Sequence, residues 1–463
     1  MIERYSVKEI ADIWTDKNKL KLWQEVELAV LCASAELGVI SFDIFDQIKA
    51  ALAAAPIDIE WWKDRDNEIK HDLNAFIDER LRHLPQQLHQ YFHRGLTSYD
   101  TEELPFQLRL IESTEIILSR AQELIKVLKE LAQKYRTTPM IGRTHGQEAK
   151  LQSFGKRVLT WLIRIQNDLQ AIKAATENLH YSKLSGAIGN YQGISPEVEA
   201  KALSYFLFRP YYGATQIMPR ELHARLAETL GCLSASVNQI ALDIRLGARS
   251  GLPIYQEPFG KKQKGSSAMP HKKNTISTEQ LAGMTILADG YCQMIQRCIN
   301  TWEERAIEQS CVERIAWPDL FHVLAHSLKT ICNITAKLTV FEKNMAQEIT
   351  NSCGLYASEE VKEFIKDIGA QYGLGYEESY RLTQLAAFNA FEGQTRSLKE
   401  ILLHGILEVS PNLDAKVEDV KKWNDILDKI FRDPKNKAEL EKYFEVAYHL
   451  RGEEILFQKI LGQ

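Results

Sequence analysis

The sequence predicts an all-α fold, an elongated central bundle of long helices flanked by smaller N- and C-terminal helical domains. Three features of the pattern lead there. Apolar residues recur every seven positions through three long stretches after Phe106. Ahead of them, roughly the first hundred residues alternate short helical patterns with polar breaks. Beyond about Gly354 the helical patterns shorten again and turns multiply. Together these place an N-terminal domain at 1–105, a central bundle at 106–353 and a C-terminal domain at 354–463.

In chain order, Lys19 to Gly38 reads as one amphipathic helix, with Leu22, Val26, Ala29, Val30, Ala33 and Leu37 on one side and Gly38 as its stop. Arg4-Tyr5, ahead of it, reads by itself as surface. Lys70-His71-Asp72-Leu73-Asn74-Ala75-Phe76 follows. Next comes His93-Arg94-Gly95-Leu96-Thr97-Ser98-Tyr99-Asp100, a turn-rich segment before Pro105. From Phe106, Leu110, Ile117, Leu124 and Leu131 form one heptad row, with Thr114, Ala121 and Leu128 on the interleaved row. Val158, Ile165, Ile172 and Leu179 repeat the device with Leu162 and Leu169, and Leu226, Leu233 and Ile240 alternate with Leu230, Val237 and Ile244. Two more apolar-periodic segments span about 276–300 and 318–340. Helices near thirty residues long would run on the order of 45 Å, more than one small domain needs, so they should lie side by side. Seams left exposed on one chain would be buried against other subunits; the alternative is a self-contained bundle. Polar loops at 142–147, 183–190, 215–216 and 260–275 join the helices, and polar clusters at the ends of rigid elements are where a site is expected. Ser410-Pro411-Asn412 and Arg432-Asp433-Pro434 punctuate the last domain.

Composition narrows the class. With 463 residues, 45% hydrophobic and 26% charged, the chain can bury a large core. Its seven cysteines, Cys32, Cys232, Cys292, Cys298, Cys311, Cys332 and Cys353, form no C-x-x-C and no cysteine–histidine cluster at zinc spacing, which points to reduced, structural thiols and a cytoplasmic location. The opening MIERYSVKEIADIW carries charge where a signal peptide needs an apolar run, and no stretch has the apolar length of a membrane span. Asn333-Ile334-Thr335 is therefore an idle glycosylation match. A net charge of −5 argues against nucleic acid as a partner, while a small anionic ligand needs only a locally positive pocket.

Such a pocket is offered by Gly260 to Thr275, GKKQKGSSAMPHKKNT, with two serines, five lysines, a histidine and an asparagine. Backbone N–H groups around Gly265 can form an anion nest; the alternative is a solvated basic loop. Ser266 stands where a nucleotide-binding lysine would be, so this is no Walker A site. His145, between Gly142 and Gly146 with Arg143 and Thr144 beside it, suits proton transfer with a tautomer held by a neighbour, or else satisfies backbone in a tight turn. His71 beside Asp72 could have its pKa raised, or cap a helix. His322 and His326 are one turn apart, but Val323 stands where a metalloprotease glutamate would follow, so they read as core or surface. No G-x-S-x-G elbow surrounds Ser266 or Ser267, and no dinucleotide fingerprint is present. What remains is acid–base chemistry on an anionic substrate, with no metal and no cofactor.

The decapeptide GSSAMPHKKN, Gly265 to Asn274, resembles the signature loop of the fumarase/aspartase lyase superfamily, in its adenylosuccinate lyase form. GLTSYD at 95–100, GRTHGQ at 142–147, LSGAIGN at 184–190 and SCVERIAWPD at 310–319 resemble the family's other motifs in the family's order, so the resemblance covers nearly the whole chain. Arg4-Tyr5 and Lys70-His71-Asp72 narrow it further. The resemblance implies the superfamily architecture, a homotetramer with active sites shared between subunits, and elimination of fumarate from a succinylated amine. By matching positions it implies His145 as general acid and Ser266 as general base, with His71 and His93 assisting. It implies substrate binding by Arg4, Tyr5, Lys70, Asp72, Thr97, Ser98, Gln147, Gln216, Ser267, Lys272, Asn274, Arg305, Ser310 and Arg314. Several positions depart from the family: Thr275 stands for a usual proline, Ala306 for aspartate, Glu308 for serine, and Glu221 and Glu103 for aspartates. These departures leave open a divergent lyase or a cycloisomerase acting on another succinyl amine or dicarboxylate. A catalytically idle helical scaffold is the non-enzyme alternative.

Overall fold

In the computed structural model, which describes residues 1–393 and 396–462, the chain is predominantly helical, with a few short strands. The longest are α1 (Asp16–Glu36), α2 (Ser98–Lys134), α3 (Phe154–Glu177), α4 (Glu221–Gly247), α5 (Ile276–Arg297) and α6 (Glu308–Ala336). The heptad rows form the interior that their spacing predicts. Leu110, Ile117, Leu124 and Leu128 on α2, Val158, Leu162, Ile165 and Ile172 on α3, and Leu226, Leu230, Leu233, Ile240 and Ile244 on α4 are all fully buried. Each such Leu, Ile or Val contributes about 1.5–3 kcal/mol by leaving water.

Two details depart from the sequence reading. The helix of the long heptad row starts at Ser98, not Phe106, and runs through Pro105 for 37 residues, about 55 Å at 1.5 Å each. The turn-rich GLTSYD segment thus opens a helix, with Asp100 Oδ2 accepting the Thr97 N–H at 2.8 Å to cap it. Leu37, which caps the end of α1, is exposed, whereas Trp23, Glu27 and Leu31, four residues apart on the helix, are buried. Gly38 does stop that helix: at φ +73° it lets Val39 N–H reach Ser34 O (2.8 Å) and its own N–H reach Ala35 O (3.1 Å), a Schellman closure.

The residues pack as two compact units. One comprises 1–125, 164–241 and 276–333. Its core includes a cluster of Leu20, Trp23, Ile48, Trp62, Leu73 and Phe76, and another of Val26, Val30, Leu104, Leu184, Leu203 and Phe208. The other comprises 126–163, 242–275 and 334–463. There Ile141 and Leu151 pack with Val361, Leu382, Leu385, Leu402, Trp423 and Leu427 of the shorter C-terminal helices. Two of these begin as their turn residues dictate. Ser397 and Glu400 form a capping box ahead of Leu398–His404, and Asp433 caps Pro434–Lys442 with proline in its first turn.

The all-α reading did not foresee the antiparallel hairpin of β1 (Pro139–Thr144) and β2 (Gln147–Ser153). Thr144 pairs with Gln147, leaving His145 and Gly146 as a two-residue turn. Both have positive φ, +52° and +79°, as a type I′ hairpin requires.

Candidate active site

The basic loop folds back on itself around Ser266. A Cβ at Gly265 would lie 1.8 Å from the Lys272 carbonyl oxygen, so only glycine fits. Asn274 Nδ2 donates to Gly265 O at 2.8 Å and ties the loop's two ends together. Ser266 Oγ accepts the N–H groups of Met269 (3.1 Å) and Ala268 (3.3 Å). Two backbone donors on one hydroxyl oxygen favour negative charge there, the environment an alkoxide base needs. Ser267 and Lys272 are exposed beside it, free to meet an anion.

His145 stands at the hairpin tip, exposed, and its ring has no hydrogen-bond partner among the described residues. No neighbour among the described residues holds its tautomer, and Arg143 is taken up by Glu348 at 2.5 Å. Gln147 follows on β2, also exposed. His145, Gln147 and the basic loop all belong to the second unit; the remaining candidates belong to the first.

There, Lys70 ends the helix Ile59–Ile69 in a left-handed conformation at φ +56° and is exposed. His71 then caps Asp72–Leu81: its Nδ1 accepts the Asn74 N–H at 3.3 Å. Of the two readings open from sequence, the cap is the one seen. An accepting Nδ1 leaves the proton on Nε2, which turns this histidine into an outward donor. Asp72 is held by Arg314 Nη2 at 3.2 Å.

His93 is positioned by a residue the sequence reading passed over. The buried Glu27 accepts from His93 Nδ1 at 2.7 Å, from the His93 N–H at 3.2 Å and from Thr101 Oγ1 at 2.6 Å. Burial alone would lower the His93 pKa. The hydrogen bond and charge of Glu27 outweigh it, and Asp100 adds to them, so the histidine titrates above its ordinary value. The row Trp23-Glu27-Leu31 carried the signal, an acid in register with two large apolar residues.

The segments carrying Thr97, Ser98 and Gln216 are pinned by buried charge. Lys183 Nζ lies 2.6 Å from Asp100 Oδ1, both fully buried, and donates to Gly186 O (2.8 Å) and Gln216 O (3.1 Å). Glu199 accepts the Leu184 N–H (2.6 Å) and the Tyr191 hydroxyl (2.6 Å), closing the LSGAIGN turn. Gln216 is then oriented by Ala187 O (3.1 Å) and by Arg305 Nη1 (2.8 Å), whose guanidinium lies 4.3 Å from the Tyr99 ring centre. The unusual Glu103 is buried and pairs with Arg220 Nη1 at 2.7 Å, while Glu313 lies 2.7 Å from Arg220 Nε.

Asp72, Ser310 and Arg314 line one cavity of about 320 Å³, together with Trp14, Lys19, Trp23, Glu102 and Arg109. Ser310 donates to Ile307 O at 2.9 Å. Arg4 and Tyr5 sit on the segment that docks on α6, where Val7 N–H reaches His322 Nδ1 (3.0 Å) and Tyr5 packs edge-on to His326 (5.3 Å). That contact accounts for both helical histidines. Among the described residues no group of three or more His, Cys, Asp or Glu is placed to hold a metal, all seven cysteines are free, and no helix is long and apolar enough to cross a membrane.

Comparison with known proteins identifies the family. The sequence pattern of a lyase family matches residues 3–289. An adenylosuccinate lyase of Thermotoga maritima is 36% identical over 99% of both chains. Adenylosuccinate lyases of Aquifex aeolicus (35%, 87% of this chain and 91% of that one) and Bacillus subtilis (31%, 99% of both) are also similar. Among solved structures, a fumarate lyase from Mesorhizobium sp. BNC1 superposes with a TM-score of 0.82 at 21% identity, covering 100% of this chain and 99% of that one. The β-carboxy-cis,cis-muconate cycloisomerase of Acinetobacter calcoaceticus superposes at 0.79 with 20% identity, covering 98% of each. These two likenesses establish the shared fold. By the family match and by end-to-end identity, the chain belongs to the adenylosuccinate lyase family of lyases.

Proposed function

We propose that the chain eliminates fumarate from adenylosuccinate to leave AMP, and from the succinylated aminoimidazole carboxamide nucleotide by the same chemistry, in cytoplasmic purine nucleotide biosynthesis. One observation carries the reading: identity of 31–36% to curated adenylosuccinate lyases, in two cases from end to end. In the proposed reaction Ser266 removes a proton from the carbon next to a succinyl carboxylate, and the charge flows onto the carboxylate oxygens. Lys272, Ser267 and loop amides hold that dianion, with Asn274 committing one N–H to Gly265 and keeping the other available. His145 protonates the departing nitrogen, a step worth about 10²–10⁴-fold. His71 donates through Nε2, and Glu27 favours the protonated form of His93. Arg4, Tyr5, Lys70, Asp72, Thr97, Ser98, Gln147, Gln216, Arg305, Ser310 and Arg314 bind the nucleotide and succinyl groups.

The working form in this proposal is a homotetramer whose sites draw on several subunits. Two features support it. His145 finds no hydrogen-bond partner among the described residues of its own chain, and α5 exposes Ile286 (73%), Leu287 and Met294, apolar side chains a subunit contact would cover. A substrate panel tests the activity: fumarate should appear from adenylosuccinate and not from argininosuccinate or carboxymuconate. Turnover of either of the latter in preference would replace this reading with a divergent lyase or cycloisomerase.

A further inference from the structure

The cavity bearing Asp72, Ser310 and Arg314 holds several charges, and most are already matched. Lys19 pairs with Asp16 at 3.2 Å, Glu313 with Arg220 at 2.7 Å, and Arg109 lies against the Trp14 ring at 4.7 Å. Asp72 pairs with Arg314. Glu102, half-buried one turn into α2, lines the same cavity and has no hydrogen-bond partner among the described residues. We propose that Glu102 is a positioning residue for the substrate anion: its charge competes with that anion for Arg314, so protonation of Glu102 frees Arg314 to bind. The inference rests on the lyase reading above for the identity of the anion.

The surroundings make that protonation accessible near neutrality. Burial, and then the neighbouring Asp72 carboxylate, push Glu102 up to about 7, while Arg314, Arg305 and Lys19 pull the other way. On its own helix it also faces Arg109 and Tyr99. A carboxyl raised in this way is neutral in mild acid and charged above pH 7. With it charged, Arg314 answers two carboxylates; with it neutral, only Asp72 remains. Affinity for an anion should therefore fall as pH rises through about 7.

Glu102→Gln fixes the neutral form with almost no change of shape. The readout is the ratio of variant to wild-type KM for adenylosuccinate, which cancels the substrate's own phosphate ionisation. It should be near one at pH 6 and fall about tenfold by pH 8, with the effect in KM rather than kcat, and Glu102→Asp should restore the wild-type pH dependence. A ratio constant between pH 6 and 8 overturns the proposal. Sulfate, doubly charged throughout this range, gives a second readout through fluorescence of Trp14 and Trp23, and the ratio of its dissociation constants should follow the same course. Absence of turnover in wild type at every pH would sink the lyase reading alone, because the sulfate ratio would still decide for or against Glu102.

Discussion

The carboxylate of Glu27 lies 2.7 Å from Nδ1 of His93, a histidine 66 residues further along the chain. This contact raises the histidine's pKa, and the sign of its effect on stability follows. A folded pKa above the unfolded value means that the pair's contribution is fully present below the unfolded pKa of about 6.5 and is lost as pH rises through the raised value. Glu27→Gln should cost about 1–3 kcal/mol near pH 6, and the deficit against wild type should shrink at higher pH. Denaturant unfolding at several pH values measures this; a deficit independent of pH would contradict the assignment.

Lys183 and Asp100 form a pair with no exposed surface. Lys183→Met would strand a buried carboxylate, at about 3–5 kcal/mol. Adding Asp100→Asn should recover part of the loss. Equal unfolding midpoints for wild type and the single variant would show that the pair is not what pins these loops.

Gly265 has no room for a methyl group, since a Cβ would meet the Lys272 carbonyl at 1.8 Å. The loop lies in a surface segment, so Gly265→Ala should leave the melting temperature nearly unchanged. Turnover should fall by about 10²-fold or more as the donors to Ser266 Oγ move apart. An active Gly265→Ala enzyme would mean that this closed loop is not the working form.

His145→Ala and Ser266→Ala should each lose about 10²–10⁴-fold in rate yet stay folded. Mixed and reassembled in a tetramer with shared sites, they should regain part of the activity, because some sites would receive both intact residues. A mixture as inactive as its parents would place the two residues in sites built from one chain.

Much of this was legible in the sequence. The rows from Leu110 to Leu131 and from Leu226 to Ile244 predicted the buried faces of two long helices, since seven-residue spacing leaves few alternatives to a packed helix. The GSSAMPHKKN loop announced itself through its glycine and lysines. The hairpin at His145 was not legible, because β1 and β2 are short and β2 mixes Gln, Glu and Lys with few apolar residues. Glu27, Lys183 and Glu102 were missed for a different reason. Each is a common surface type whose burial depends on partners distant in sequence, which periodicity alone does not report.

Fumarate release from adenylosuccinate, followed for wild type and for Ser266→Ala with its fold checked by circular dichroism, bears most directly on the central claim. Wild type should yield AMP and fumarate in equal amounts, and the variant should lose about 10²–10⁴-fold in rate while remaining folded. No fumarate from wild type, or a variant as fast as its parent, would contradict a serine-based elimination in this chain.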